Sequence, residues 1–229
     1  MEARLVSYSD IGPEVRHFVF EAAGADTLQA QPGQFVSFTG EVNGRRVTRP
    51  YSLAGLPRGN RFELCLNRVR EGLFSPWLFE LQPGQTVAMQ GPLGYFTPRR
   101  PFRDSVFVAT GTGVAPFRAF LQSEEVLQSG ARITLLFGAR YEESLLYRSE
   151  FEDLERRMPR FRYLPTLTRP PEGWTGRTGR VQAHLDEALE GRTDVDVYIC
   201  GLKEMVEDVR RMLKERGFER RQIIVEKYD

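Results

Sequence analysis

Val106-Phe-Val-Ala-Thr-Gly-Thr-Gly-Val-Ala-Pro-Phe-Arg-Ala-Phe-Leu121 reads as a strand, a tight turn and a helix. Val106 to Ala109 form a continuous apolar run, the mark of a parallel strand buried on both faces. Gly111 and Gly113 let the backbone bend sharply and approach a ligand, and Pro116 suits a first helical turn, where its missing N–H costs nothing. Thr112, Gly113, Val114, Ala115 and Pro116 therefore open a helix above a strand end, with free N–H groups that favour anions. A Gly-x-Gly turn also occurs for steric reasons alone, and the dinucleotide fingerprint carries Gly or Ala where Pro116 stands. The stretch is a relative of that fingerprint, and its surroundings decide what it does.

Downstream, apolar β-rich runs at Ile133 to Ala139, Phe161 to Thr168, Val195 to Cys200 and Gln222 to Val225 alternate with helical patterns. Those patterns cover Ala115 to Gln128, Ser149 to Arg157, Val181 to Leu189 and Leu202 to Arg216. Alternating strand and helix predicts an α/β, doubly wound parallel sheet. Upstream the period is different. Arg4 to Tyr8, Val15 to Glu21, Phe35 to Thr39, Arg46 to Ala54, Arg61 to Val69 and Thr86 to Gln90 are short strands divided by Pro32-Gly33, Asn43-Gly44, Gly59-Asn60 and Pro83-Gly84. They predict an antiparallel β-barrel, interrupted by one helix in which Ser75 caps, Pro76 takes the first turn, and Trp77, Leu78 and Leu81 follow. The turn-rich run from Gly91 to Pro101 separates two domains, 1–100 and 101–229.

The 229 residues suit two domains, and a formal net charge of +1 argues against nucleic acid or an acidic membrane as a bulk partner. No apolar run has the length of a membrane span and no signal peptide opens the chain, so a soluble, cytoplasmic protein is expected. Two cysteines cannot hold an iron–sulfur cluster, and His17 and His184 stand apart, so no metal is expected.

Several residue sets carry chemistry. Arg49-Pro50-Tyr51-Ser52 offers a guanidinium for a phosphate, a flat ring to stack and a hydroxyl, although an outward Arg beside an inward Tyr also fits an ordinary strand. Gly72-Leu73-Phe74-Ser75 opens the short helix with free N–H groups and a hydroxyl, as a diphosphate site or a plain capped helix would. Where an NAD site expects an acidic side chain, Phe137-Gly-Ala-Arg140 supplies Arg140, and Arg169 and Arg180 follow further on. Such guanidinium groups suit a 2′-phosphate, and each alone is also a common surface residue. Tyr198-Ile-Cys200-Gly201-Leu202 ends a strand on a cysteine, where ligands of such sheets lie or where a buried structural Cys would sit. The terminal Ile224-Val-Glu226-Lys-Tyr228-Asp229 either returns to the cleft or frays.

Together these motifs resemble the ferredoxin–NADP reductase family of plant-type fold, particularly its short bacterial members, across nearly the whole chain. Arg49-Pro-Tyr-Ser52, Leu64-Cys65-Leu66-Asn67-Arg68 and Leu73-Phe-Ser75 are similar to its flavin motifs, and Ala109 to Arg118 and Ile199 to Lys203 to its nicotinamide motifs. The resemblance implies FAD, with FMN possible, and NADP(H). It places Tyr51 on one flavin face, Ser52 at N5, and Arg49 with the Leu73 to Ser75 backbone on the diphosphate. Arg140, Arg169 and Arg180 fall to the 2′-phosphate, Cys200 to the nicotinamide C4, Glu226 to a relay with Ser52, and Tyr228 to the other flavin face. A stacked pair is worth roughly 0.5 to 1.5 kcal/mol beyond burial, so displacing Tyr228 should weaken cofactor binding about twofold to tenfold. Asp229 after that aromatic, and a short Arg68–Gly72 loop without an aromatic for the adenine, depart from the pattern.

The expected activity is hydride transfer between NADPH and flavin, with single electrons exchanged with an acidic carrier, ferredoxin or flavodoxin, by a monomer or dimer. Arg45, Arg46, Arg99, Arg100, Arg103 and Lys203 are the basic docking candidates. Two alternatives share parts of the pattern: the reductase of an oxygenase system or of free flavin, and a non-catalytic nucleotide-binding subunit.

Overall fold

Alternate residues of the first strands are apolar, and in a pleated strand that puts every second side chain on one face. In the computed structural model, which describes residues 1–228, the first strands are β1 (Glu2–Gly12), β2 (Val15–Ala22), β3 (Phe35–Val42), β4 (Arg45–Ser52) and β5 (Arg61–Asn67), and β2 and β3 show the alternation most regularly. They are followed by α1 (Phe74–Phe79) and β6 (Thr86–Leu93), and the six antiparallel strands run in the order β4-β3-β6-β1-β2-β5. A bridge between Leu53 and Leu64 joins the chain beyond β4 to β5, and Ala54 N–H donates to the Glu63 carbonyl at 2.8 Å, closing the sheet into a barrel. Phe18, Phe20, Phe38 and Phe62 fill it, with Phe20 edge-on to Phe38 at 5.0 Å.

The second sheet is parallel. It comprises β7 (Ser105–Thr110), β8 (Ile133–Ala139), β9 (Phe161–Leu167), β10 (Arg177–Thr178), β11 (Asp196–Leu202) and β12 (Ile223–Tyr228), in the order β10-β9-β8-β7-β11-β12. The connecting helices are α2 (Ala115–Phe120), α3 (Glu124–Gln128), α4 (Arg148–Arg157), α5 (Leu185–Leu189) and α6 (Lys203–Glu215). The chain winds from β7 outward to β9, then returns to the other side of β7 for β11 and β12. That reversal beside β7 is the topological switch point at which such sheets bind ligands.

Several expectations shift in detail. The helix expected over 115–128 is two helices, parted at 121–123, and the one over 181–189 starts as a 3-10 turn before α5. Ser75 is not a cap: α1 begins at Phe74, and the Ser75 hydroxyl instead accepts from Val69 N–H at 2.9 Å. β10, only two residues long, was too short to announce itself. Glu226 and Tyr228 lie within β12 and so do not belong to a frayed tail; Asp229 is outside the described residues.

The chain divides into two compact units, Met1–Pro98 with Ala115–Ser123, and Arg99–Val114 with Glu124–Asp229. The chain passes from the second unit to the first between Val114 and Ala115, inside the Gly-rich motif.

Candidate functional site

In the first unit, β4 carries Arg49 and Pro50 exposed, Tyr51 half-buried and Ser52 buried. The Tyr51 ring lies nearly parallel to Phe74 of α1 (17°, 6.4 Å between centroids) and edge-on to Phe38 at 5.9 Å, so its plane is set by two neighbours. Burial raises the Tyr51 hydroxyl well above the usual tyrosine range, and the Arg49 charge works against that shift. Arg49 donates to the neighbouring Thr48 carbonyl at 2.8 Å and keeps the rest of its guanidinium at the surface.

On β5, Cys65 and Leu66 are buried and Asn67 is exposed. The loop that follows is pinned by Arg68 N–H donating to the Glu14 carbonyl (2.7 Å) and Gly72 N–H to the Val69 carbonyl (2.8 Å). A Cβ on Gly72 would press on Val69 at 3.1 Å, so the turn is tight there. Leu73 is exposed, and the α1 start has no side-chain cap. With Val69 N–H already donating to it, the Ser75 oxygen keeps its own O–H as a donor. A fixed ring, a free guanidinium, a donor hydroxyl and uncapped N–H groups are a donor set that suits a flat ring joined to a diphosphate.

In the second unit, the Gly111–Val114 turn rests on β11. A Cβ on Gly113 would overlap the Cys200 carbonyl, and one on Gly201, whose φ is +149°, would overlap the Thr110 hydroxyl. Both glycines thus permit a close approach of backbones. The Thr110 Oγ1 is buried with no hydrogen-bond partner, which leaves a donor at the switch point.

Across β11 and β12 the register pairs Cys200 with Glu226, and Leu202 with Tyr228. The Cys200 thiol is pushed well above its ordinary value by burial and then by the Glu226 charge, while a hydrogen bond with Tyr228 opposes the shift. A thiol, a carboxylate and a phenol therefore meet at the carboxyl ends of two neighbouring strands. Leu202, after them, is 65% exposed.

Arg140 and Arg169 end β8 and β9 side by side, with Arg169 N–H donating to the Arg140 carbonyl at 2.8 Å and both side chains exposed. Arg180 opens the 3-10 turn Val181–His184 and is exposed too. Its charge helps hold Asp208 below the usual carboxylate range, behind hydrogen bonds from Arg211 and Gln182. Of the three, Arg140 and Arg169 form the tighter pair. Tyr141 joins them: its hydroxyl accepts from Arg169 Nη1 at 3.0 Å. The signal for Tyr141 was its place directly after Arg140.

The docking candidates separate. Arg100 is bound to Glu125 at 2.9 Å, Arg103 to Asp196 at 2.7 Å, and Arg99 to the Arg221 carbonyl. Arg45 and Arg46, exposed at the start of β4, have no ion pair among the described residues. Lys203 is exposed at the start of α6 and contributes to holding Glu207 low.

The oxidoreductase FAD-binding domain family matches residues 2–97, and the oxidoreductase NAD-binding domain family matches 107–211. The chain is 42% identical to ferredoxin–NADP reductase B of Sorangium cellulosum over 238 aligned positions, covering 100% of this chain and 97% of that protein. It is 30% identical to the anthranilate 1,2-dioxygenase electron transfer component of Acinetobacter baylyi, covering 88% of this chain and 59% of that one. Among solved structures, an Amycolatopsis cytochrome P450 reductase superposes with a TM-score of 0.88 at 28% identity, over 99% of this chain and 69% of its own. A ferredoxin–NADP+ reductase from Neisseria gonorrhoeae, with bound FAD and NADP, gives 0.86 at 22% identity over 99% and 98%, a likeness of fold. An FAD-binding barrel, a nicotinamide-binding parallel sheet and a 42% identical relative matched over 97% of its length settle the lineage: the chain belongs to the ferredoxin–NADP reductase family.

Proposed function

We propose that this reductase takes electrons between NADPH and a small acidic one-electron carrier, ferredoxin or flavodoxin. The observation that carries the proposal is the row of groups along one end of the parallel sheet: Arg140 and Arg169 after β8 and β9, the Gly-rich turn after β7, and Cys200, Glu226 and Tyr228 on β11 and β12. The FAD supplies the means of exchanging two electrons with a nicotinamide and one at a time with a carrier.

The chain supplies the rest. Tyr51 offers a fixed aromatic plane, Arg49 and the Leu73–Ser75 turn hold a diphosphate, and Ser52 presents a hydroxyl to the reacting edge of the ring. Cys65, Leu66 and Asn67 form the wall beside it. Arg140, Arg169 and Arg180 select the 2′-phosphate by charge-assisted bonds. Thr112 to Pro116, with Gly201 and Leu202, receive the nicotinamide half of the dinucleotide. Cys200, kept as a neutral thiol, faces the pyridine without attracting its cationic product, whereas a thiolate would hold that product back. Ser52 in the first unit and Glu226 in the second are a hydroxyl and a carboxylate able to carry a proton, and Tyr228 is an aromatic for the nicotinamide half.

The similarity to dioxygenase electron transfer components favours one second reading, in which the same electrons go to an oxygenase partner. One experiment tests both. Purified protein should be yellow, release FAD, bleach with NADPH at far lower concentration than with NADH, and reduce ferredoxin or flavodoxin. A protein that bleaches but reduces neither carrier sinks the carrier assignment; a colourless one that takes up no flavin sinks the reductase.

A further inference from the structure

Helix α2 continues the Gly-rich turn in sequence but groups with the barrel unit. Its Arg118 side chain is only 12% exposed, and Nη1 donates both to the Ala54 carbonyl and to Glu63 Oε2, each at 2.6 Å. One turn on, Gln122 Oε1 accepts from Leu56 N–H at 3.0 Å. Phe117 and Phe120 lean on Phe96 at 5.8 and 5.7 Å. Gly55 sits where these groups converge: a Cβ there would be 2.8 Å from Glu63 Oε2, 2.9 Å from Gln122 Oε1 and 3.2 Å from Arg118 Nη1. A side chain at 55 would therefore push on the tips of all three partners of the clasp.

The aromatic contacts already give α2 its burial, so the ion pair is not needed to keep the helix out of water. A largely buried guanidinium is expensive to desolvate and persists where its geometry has a use. What the clasp adds is direction. Its two ends lie close in the chain to groups that work: Ala54 follows Ser52 by two positions, and Arg118 follows Pro116 by two.

We propose that Arg118 is a positioning residue for hydride transfer. By gripping Ala54 and Glu63 it fixes where α2 starts, and so holds the end of the Gly-rich motif that runs directly into the helix. The inference rests on the reductase reading above. In the step concerned, the C4–H bond of the reduced pyridine breaks, the hydrogen and both bonding electrons form a new N–H bond on the flavin ring, and the pyridine leaves as its cation. A misplacement of about 1 Å in such a step costs on the order of a hundredfold in rate.

The test compares flavin-loaded wild type with R118Q, E63Q and the double variant, measuring flavin bleaching by NADPH in stopped flow, its deuterium isotope effect, and NADP+ affinity by difference titration. Each single variant should slow bleaching about tenfold to a hundredfold, raise the isotope effect, and leave NADP+ affinity and flavin content unchanged. The double variant should be no slower than the slower single one, because one interaction is lost in either case. Amides of 111–120 should exchange faster with deuterated water in R118Q before any nucleotide is added. G55A, which pushes the clasp apart without removing a charge, should reproduce the slow bleaching and decides the matter if R118Q fails to retain flavin. Normal bleaching in these variants, additive effects of R118Q and E63Q, or a loss confined to NADP+ affinity would overturn the role of Arg118. A wild type that NADPH does not bleach would instead overturn the reductase reading.

Discussion

Cys200 on β11 and Glu226 on β12 stand opposite each other in register on adjacent parallel strands. Burial, and then the Glu226 charge, raise the thiol well above its ordinary value. A group whose pKa is raised by folding holds its proton more tightly in the folded state. Its contribution to stability is therefore complete below the unfolded thiol value of about 8.5 and declines as pH rises beyond it. The denaturant midpoint of the protein should fall between about pH 8.5 and 10, and fall less steeply in Cys200→Ala. Glu226→Gln should flatten it partly, by removing the second cause of the shift. Tyr51, Tyr163 and Tyr198, the last pushed up to about 12, are raised by burial too; their unfolded titration, near pH 10, overlaps the top of that window but is common to all variants. Equal slopes in wild type and Glu226→Gln would show that the Glu226 charge does not reach the thiol, and an equal slope in Cys200→Ala would show that the thiol is not shifted at all.

Arg140 and Arg169 should decide the choice between the two nicotinamide cofactors. A hydrogen bond to a charged group contributes about 1.5 to 3 kcal/mol, so Arg140→Ala or Arg169→Ala should raise the NADPH KM at least tenfold. The NADH KM should stay nearly constant. Tyr141→Phe removes the 3.0 Å bond that steadies Arg169 and should produce the same selective change at about twofold to tenfold. Steady-state kinetics with both cofactors checks all three, and equal effects on NADPH and NADH would remove the 2′-phosphate from the assignment.

The two architectures were legible because their signals are periodic. Val106 to Ala109 are apolar throughout, Ile133 to Ala139 are apolar but for Thr134, and both runs are buried throughout. Phe18 and Phe20 alternate with partly exposed residues along β2, as a barrel strand requires. The misplaced details depend on contacts that a local pattern does not contain. Ser75 looked like a cap by composition, yet the turn before it brings Val69 N–H to its hydroxyl. The helix expected across 115–128 breaks at Leu121 to Ser123, where Gln122 bonds to Leu56 across the chain. Arg118 stood inside the quoted motif without a role, because its partners Ala54 and Glu63 are more than fifty positions away. The pairing of Cys200 with Glu226 depends on strand register, which nothing in either segment states by itself.

Gly113 and Gly111 should respond differently to the same added methyl. At Gly113 the Cβ would overlap backbone atoms of Cys200 and Gly201, which have no freedom to swing aside. Gly113→Ala should therefore shift β11, destabilise the protein by about 1 to 3 kcal/mol, and weaken NADP+ binding as well. At Gly111 the space is open but φ is +54°, so Gly111→Ala carries only backbone strain, about 1 to 2 kcal/mol. Its NADP+ affinity should remain near that of the wild type. Thermal melting and NADP+ titration together check the contrast; two variants with the same loss of affinity would contradict it.

Arg45 and Arg46 should matter to the carrier and to nothing else. The other arginines proposed for docking already have carboxylate partners, Arg100 with Glu125 and both Arg99 and Arg103 with Asp196, so their charge is partly neutralised before any partner arrives. The pair at the start of β4 is exposed and has no ion pair among the described residues. Exposed charges act over about 10 Å at 0.1 M salt and about 3 Å at 1 M, so their effect belongs to low ionic strength. Arg45→Glu with Arg46→Glu should slow reduction of an acidic carrier about tenfold or more in dilute buffer, and the difference should largely vanish in high salt. Flavin bleaching by NADPH should be unchanged in the same variant, because the hairpin is not part of the nicotinamide site. A variant that reduces the carrier normally in dilute buffer would move docking away from this hairpin.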